Sequence, residues 1–314
     1  MKPESLPVFY LAGPTAVGKS AIALALAEQI GGEIVSVDSM QVYRGLDIGT
    51  AKATPADRAR VRHHLIDVID LTSGFDASQF VRLAAAAVSD IQTRGRSAIF
   101  CGGTGLYFKA WCEGLHETTP GDPQLRAELE ATPLPVLLDE LAARDRATFE
   151  TIDRRNPRRV VRAVEVIRLT GKPLSPQRTQ RRTGAPEGQA GAARIVVFRR
   201  APDDLRARIN ARVDAMFAAG LVEETRRLLT AGLGENRTAM QALGYRQVVE
   251  HVRGERGLAE TIALVKLKTW QFARRQMTWF RHQTQTRWID LETSDEAMSR
   301  VLHAVRLGAE ASPL

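Results

Sequence analysis

An octapeptide near the N-terminus, Gly13-Pro14-Thr15-Ala16-Val17-Gly18-Lys19-Ser20, has the residue types and spacing of a phosphate cradle, G-x-x-x-x-G-K-S. The glycines let the backbone curl so that successive N–H groups meet one anion, and a helix starting there adds the partial positive charge of its N-terminus. Lys19 supplies a full positive charge, and Ser20 a hydroxyl suited to Mg²⁺. The segment should therefore bind a di- or triphosphate. Asp38 heads the run Asp38-Ser39-Met40-Gln41-Val42-Tyr43; its carboxylate can act as general base or metal partner, or it can cap a turn. In Gly102-Gly103-Thr104-Gly105 the chain offers glycines and a hydroxyl where a motor or switch NTPase carries an acid for Mg²⁺. That argues against ATP hydrolysis as the main activity and makes Thr104 a ligand-contacting hydroxyl, while the glycines equally suit a tight turn.

Cations follow at telling intervals. Arg208 and Arg212 stand four apart, on one face of a helix, a spacing suited to clamping a diphosphate. Gln241-Ala242-Leu243-Gly244-Tyr245-Arg246 reads as a helix-to-helix turn able to touch a nucleotide backbone. Between residues 266 and 281 basic and aromatic residues interleave. On a helix, Lys266, Trp270, Arg274, Met277 and Arg281 share one stripe, and Val265, Phe272 and Trp279 another, one facing the core and one facing anion. His63 and His64 are neighbours on a strand and point opposite ways, with no ligand cluster at metal spacing, so they are structural. Cys101 and Cys112 are too few for a disulfide framework and read as reduced structural residues.

To place these groups the chain needs a sheet whose strands end beside one another. Apolar runs at 8–12, 33–37, 64–68 and 98–102 alternate with helical stretches, the pattern of a parallel sheet covered by helices. Ligands of such sheets lie at the carboxyl ends of the strands, where the three clusters would converge. Further strands are expected at 194–199 and 287–291. From residue 120 the texture turns helical, with helices at 123–131, 135–144 and 156–169 and a polar, basic loop at 175–191. The expected fold is α/β: a P-loop NTPase-like parallel sheet flanked by helices, formed by residues 1–119 and 192–314, with a helical, basic insertion domain at 120–191.

With 314 residues, 44% hydrophobic and 25% charged, the composition is that of a globular protein with a sizeable core. No apolar run approaches the ~18 residues needed to span a bilayer, and no secretory leader is visible, so a cytoplasmic protein without membrane contact is expected. The net charge of +8 points to a polyanion. Residues 154–182 carry ten Arg or Lys against one acid, Glu165, which favours a nucleic-acid surface.

These segments resemble the tRNA dimethylallyltransferase family, also called tRNA isopentenyltransferase, in its bacterial form. The resemblance is carried by residues 13–20, 38–52, 102–107, 239–246 and 274–281, nearly the whole length of the chain. It implies transfer of a prenyl group from dimethylallyl diphosphate to N6 of adenine 37 in the anticodon stem-loop of tRNAs reading codons that begin with U. It implies that Asp38 takes the N6 proton, that Thr15, Lys19 and Ser20 neutralise departing diphosphate with Mg²⁺ on Ser20, that Thr104 lies near the reacting atoms, and that Arg208 or Arg212 adds charge. RNA contact falls, by the same resemblance, to Asp38, Ser39, Met40, Gln41, Thr104, Arg126, Arg158, Arg159, Val160, Val161, Arg162, residues 241–246, Arg274, Arg275, Gln276 and Arg281. Leu106 is expected in the prenyl slot. A monomer with no obligate protein partner is expected. At Thr269-Trp270-Gln271 the chain carries tryptophan where the family pattern has arginine, which puts the phosphate contact of that position in question and makes stacking possible instead.

Overall fold

A computed structural model describes residues 6–116, 121–174, 181–182, 195–283, 286–291 and 302–303. The chain divides into two compact units, one of residues 1–112 with 185–314 and one of residues 113–184. The boundaries expected at 119–120 and 191–192, and most of the loop expected at 175–191, lie outside the described residues.

The larger unit opens with β1 (Val8–Ala12), α1 (Lys19–Ile30), β2 (Glu33–Val37), α2 (Pro55–Arg60), β3 (His63–His64), α3 (Ala77–Thr93), β4 (Ala98–Gly102) and α4 (Gly105–Glu113). The smaller unit holds β5 (Leu115–His116), α5 (Pro123–Ala131), α6 (Leu134–Arg144), α7 (Arg146–Thr151), α8 (Pro157–Thr170) and β6 (Arg181–Arg182). The larger unit resumes with β7 (Ile195–Arg199), α9 (Pro202–Ala218), α10 (Leu221–Thr230), α11 (Tyr245–Val252), α12 (Leu258–Gln283) and β8 (Thr286–Asp290).

The main sheet runs β3-β2-β4-β1-β7-β8 with every pair parallel. Strand alternation divides its side chains between two cores. Tyr10, Ala12, Val35, Val37 and Phe100 pack with α3, α4 and α11 on one face; Phe9, Leu11, Ile34, Ile99, Cys101 and Phe198 pack with α1 and α9 on the other. Covered on both faces, the strands read as continuous apolar runs. The β1–β4 and β2–β4 registers bring Ala12, Gly102 and Val37 level, so the segments after these three strands start side by side.

The strand expected at 64–68 ends after His64. Leu65 and Asp67 take positive φ angles, 60° and 57°, which breaks the extended run. Lys52 and Arg58 both ion-pair with the Asp67 carboxylate there. His64 hydrogen-bonds Glu33, whose buried carboxylate also accepts two bonds from Arg94. Burial works against the Glu33 charge, but the hydrogen bonds of Arg94 and His64 prevail and hold it below the ordinary carboxylate range. His63 Nδ1 hydrogen-bonds the Val61 carbonyl, so each histidine has a ring nitrogen engaged within the fold, and no group of three or more His, Cys, Asp or Glu at metal spacing occurs among the described residues.

In the smaller unit the helices start where sequence chemistry dictates: Asp122, Asp145 and Asn156 cap α5, α7 and α8 with side-chain oxygens, and α5 and α8 have proline in the first turn. Their core gathers Leu129, Leu137, Leu141, Val160, Val161, Val164 and Ile167. Val160 and Val161 are therefore core residues, which corrects the expectation that they touch RNA. The local surplus of cations is also smaller than the sequence window suggests. Arg126 and Arg162 both pair with the buried Glu165, and Arg168 pairs with Glu128 and Glu140 from α5 and α6. Arg158 and Arg159, in the first turn of α8, are exposed.

Candidate active site

The phosphate loop joins β1 to α1, and three arginines hydrogen-bond to it, two at backbone carbonyls and one at the Thr15 hydroxyl. Arg200 Nε donates to the Val17 carbonyl at 2.8 Å, Arg208 Nε to the Ala16 carbonyl at 3.1 Å, and an Arg212 guanidinium N–H to Thr15 Oγ1 at 3.4 Å. The Ala16 and Val17 carbonyls are thereby satisfied by cationic donors, which adds positive charge around the loop. Gly18, at φ 108°, makes the left-handed step that starts α1. The Lys19 ammonium reaches back to the Pro14 carbonyl at 3.2 Å. Burial, and less strongly the nearby charge of Arg212, push its pKa down, while Cys101 and Asp38 oppose the shift. Arg212 is likewise disfavoured as a cation by burial and supported by Asp38. Of the two expected diphosphate clamps, Arg212 is half-buried, and Arg208 is exposed with its Nε occupied by the loop.

Beside the loop, β2 delivers Asp38 and β4 delivers Thr104. Thr104 N–H donates to the Val37 carbonyl at 3.2 Å, and Thr104 Oγ1 accepts from Ser39 N–H at 3.2 Å. Asp38 Oδ1 accepts from Met40 N–H at 2.8 Å and Gln41 N–H at 3.3 Å. Both sequence readings of Asp38 are thus compatible: Oδ1 caps the turn, and Oδ2 has no hydrogen bond among the described residues. Cys101 lies behind the site, where burial pushes its thiol up to about 11, too high for a nucleophile at neutral pH.

Gln276 of α12 is buried at the meeting point of loop and turn. Its Oε1 accepts from Thr15 N–H at 2.9 Å and its Nε2 donates to the Gly103 carbonyl at 2.9 Å. A Cβ on Gly103 would stand 2.2 Å from that nitrogen, so any side chain there would displace the amide. Gln276 is an internal clasp, which corrects its expected RNA contact. Its helix neighbours Arg274, Arg275 and Arg281 are exposed. The expected stripes of α12 are displaced: Thr261, Val265, Ala273, Gln276 and Phe280 are buried, while Phe272 and Trp279 are half-buried. A seven-residue spacing drifts by ~20° per repeat on a straight helix, which carries those two to the flank. Half-buried Trp270, with Arg200, Leu205, Arg274, Met277 and Arg281, lines a cavity of about 800 Å³. Leu106, expected in a prenyl slot, is 54% exposed.

The glycine-rich run after Tyr43 is braced rather than free. Lys52, almost fully enclosed, bonds the Tyr43 carbonyl, Asp47 and Asp67. The buried Glu224 carboxylate accepts from Ile48 N–H at 3.0 Å, Gly49 N–H at 3.4 Å and Tyr245 O–H at 2.5 Å. Gln41 is tied inward as well, accepting from Ser36 Oγ and donating to the Thr50 carbonyl. Ala242, Gly244 and Tyr245 are buried, so within residues 241–246 only Gln241, Leu243 and Arg246 remain accessible. Replacing Tyr245 with phenylalanine strips one donor from Glu224 and, from Gly49 N–H, the nearer of its two acceptors, at 3.0 Å. The expected loss is ~1–3 kcal/mol of stability, read by urea unfolding; an unchanged midpoint would show that the network does not hold the run.

Sequence reasoning missed Arg200 and Glu224. Arg200 follows β7, and only the β1–β7 adjacency reveals that it reaches the loop. Glu224 sits in an ordinary-looking helix and had no local signal.

Residues 41–283 match the family model described as IPP transferase. The chain is 44% identical over 289 residues to tRNA dimethylallyltransferase 1 of Citrifermentans bemidjiense, covering 92% of this chain and 94% of that one. It is also 44% identical over 309 residues to the tRNA dimethylallyltransferase of Halorhodospira halophila, covering 96% and 98%. Among solved structures, the full-length tRNA isopentenylpyrophosphate transferase from Bacillus halodurans is similar with a TM-score of 0.70 at 34% identity, covering 97% of each chain.

Proposed function

Because this chain belongs to the IPP transferase family, and so to the prenyltransferases, we propose that it moves a dimethylallyl group from dimethylallyl diphosphate to a tRNA base. The acceptor we propose is N6 of adenine 37 in tRNAs reading codons that begin with U. The products are N6-dimethylallyladenosine and diphosphate. The observation that carries this reading is the grouping of two half-buried cations, Lys19 on the Pro14 carbonyl and Arg212 on the Thr15 hydroxyl, with Asp38, a carboxylate that supports both charges. The cations suit a multiply charged leaving group, and the carboxylate suits a proton that must be removed.

In the proposed step, N6 attacks the prenyl C1, the C1–O bond breaks, and its electrons leave with diphosphate. Asp38 takes the N6 proton. The loop N–H groups, Lys19 and Arg212 meet the charge that grows on the leaving oxygen, and such preorganised donors each contribute ~3–4 kcal/mol. Thr104, tied to Ser39, holds the Asp38 turn in register. Extruding adenine from a single-stranded loop costs only ~2–3 kcal/mol. A hydroxyl together with phosphate oxygens is a hard donor set that fits Mg²⁺; exposed Ser20 would hold the ion, which would neutralise diphosphate charge. No helix among the described residues is long and apolar enough to cross a membrane. We place the protein in the cytoplasm, as a monomer acting on tRNA without an obligate protein partner.

The anticodon stem-loop would be gripped by Arg158 and Arg159 at the start of α8, and by Arg274, Arg275 and Arg281 on α12. Changing Arg158 and Arg159 to serine should weaken RNA binding and lower the slope of log affinity against log salt by about 1–2, since fewer counterions are released. An unchanged slope would remove them from the interface. The reading as a whole is tested by mass spectrometry of an unmodified anticodon stem-loop RNA incubated with protein and either dimethylallyl diphosphate or ATP. The expected result is a gain of one dimethylallyl group with the first and no change with the second. A phosphate gain with ATP would make the protein a kinase.

A further inference from the structure

We propose that Gln276 is a positioning residue for the donor site: its carboxamide clamps the phosphate loop to the Gly102-Gly103-Thr104 turn and so fixes the distance between the diphosphate cradle and the acid–base side of the site. The inference rests on the functional reading above and adds a residue that never touches the reacting atoms.

Three features carry it. The amide is buried, and both of its heteroatoms are used, at 2.9 Å each. Its orientation is unambiguous, because Thr15 N–H can only donate and the Gly103 carbonyl can only accept; a flipped amide would oppose like partners at both ends. Its two partners belong to the two halves of the chemistry. Thr15 lies in the loop that would receive diphosphate, and Gly103 adjoins Thr104, whose hydroxyl holds the turn carrying Asp38. A side chain at Gly103 would push the amide out of its place. A side chain whose task was only to fill the core would have no need of two polar ends at this point.

Removing the clamp has a specific consequence for the anion. Thr15 N–H loses its partner in Gln276, and the loop loses this tie to the Gly103 turn, so the cradle is no longer held in place by it. The effect should appear on the diphosphate rather than on the RNA. Gln276→Met keeps the volume and removes both bonds. Its affinity for inorganic pyrophosphate, measured by calorimetry, should fall about tenfold, as expected for the loss of a buried hydrogen-bonded clamp. KM for dimethylallyl diphosphate should rise with it, and RNA affinity should stay as in the native protein.

Gln276→Glu supplies a readout that a packing role would not move. Protonated, the glutamic acid can still accept from Thr15 N–H and donate to the Gly103 carbonyl. Ionised, it sets a carboxylate oxygen against that carbonyl. Burial raises the pKa of such a group, so the ratio of variant to native kcat/KM should be near one at low pH and fall as pH rises through that raised value. Taking the ratio cancels titration shared by both proteins. Native pyrophosphate affinity in Gln276→Met, or a flat ratio for Gln276→Glu, would overturn the proposal. If Gln276→Met does not fold, the pH ratio decides alone. Failure of the native protein to prenylate RNA would instead overturn the functional reading, a separate result.

Discussion

Asp38→Asn lowers kcat for prenyl transfer by about 10²–10⁴-fold, the range expected for loss of a general base, while RNA affinity stays within twofold or so of native. The substitution separates the two tasks of this side chain. An asparagine oxygen in place of Oδ1 still accepts from Met40 and Gln41 N–H, so the turn that presents Ser39 to Thr104 is retained. What disappears is the basicity of the second oxygen and the negative charge beside Lys19 and Arg212. Loss of that charge makes the cation pair more attractive to diphosphate, so pyrophosphate should bind Asp38→Asn as tightly as the native protein or more so. A fall in kcat with undiminished anion affinity is the signature of the base. Asp38→Ala, which also removes the cap, should add a loss of stability that Asp38→Asn does not show. Joint collapse of RNA binding and turnover in Asp38→Asn would reduce Asp38 to a turn residue and move the search for the base elsewhere.

How far the sequence announced this site depends on the range of the interactions involved. Strands at 8–12, 33–37 and 98–102 are written as uninterrupted apolar runs ended by polar or glycine residues, because a strand covered on both faces has no alternation to hide it. The phosphate loop is legible for a similar reason: its function depends on local backbone geometry, and the residue types allowing that geometry are contiguous. Where position depends on distant partners, the pattern misleads. The end of β3 at His64 is set by Asp67, which Lys52 and Arg58 draw into a positive-φ turn. The basic stretch of the smaller unit looks uniformly free because Glu128 and Glu140, which take up Arg168, come from other helices. Tyr245 and Gln276 have the residue types of nucleic-acid contacts, yet each turns inward to satisfy a buried acceptor or donor. For an amphipathic side chain, composition tells what it can bond, and only the fold tells on which side the bond lies.

Lys19→Met should lower kcat about 10²–10³-fold, a loss of the size seen when a preorganised donor to a developing anion is removed, and should at the same time raise the thermal midpoint of the ligand-free protein. The two halves of the prediction share one cause. Among the described residues the half-buried ammonium makes one hydrogen bond, to the Pro14 carbonyl, and it shares its surroundings with Arg212. A partly desolvated cation beside a second one is a cost to the fold. Its depressed pKa means that the unfolded chain binds the proton more tightly across the interval from the folded pKa up to the ordinary lysine range. Stability of the ligand-free native protein should therefore rise with pH through that interval, and the slope should be missing in Lys19→Met. Diphosphate reverses the balance by providing the counter-charge, so saturating pyrophosphate should stabilise the native protein strongly and Lys19→Met much less. Differential scanning calorimetry of both proteins, with and without pyrophosphate across neutral to alkaline pH, checks every part. A methionine variant less stable than native without ligand, yet equally stabilised by pyrophosphate, would show that Lys19 holds the loop together and does not wait for an anion.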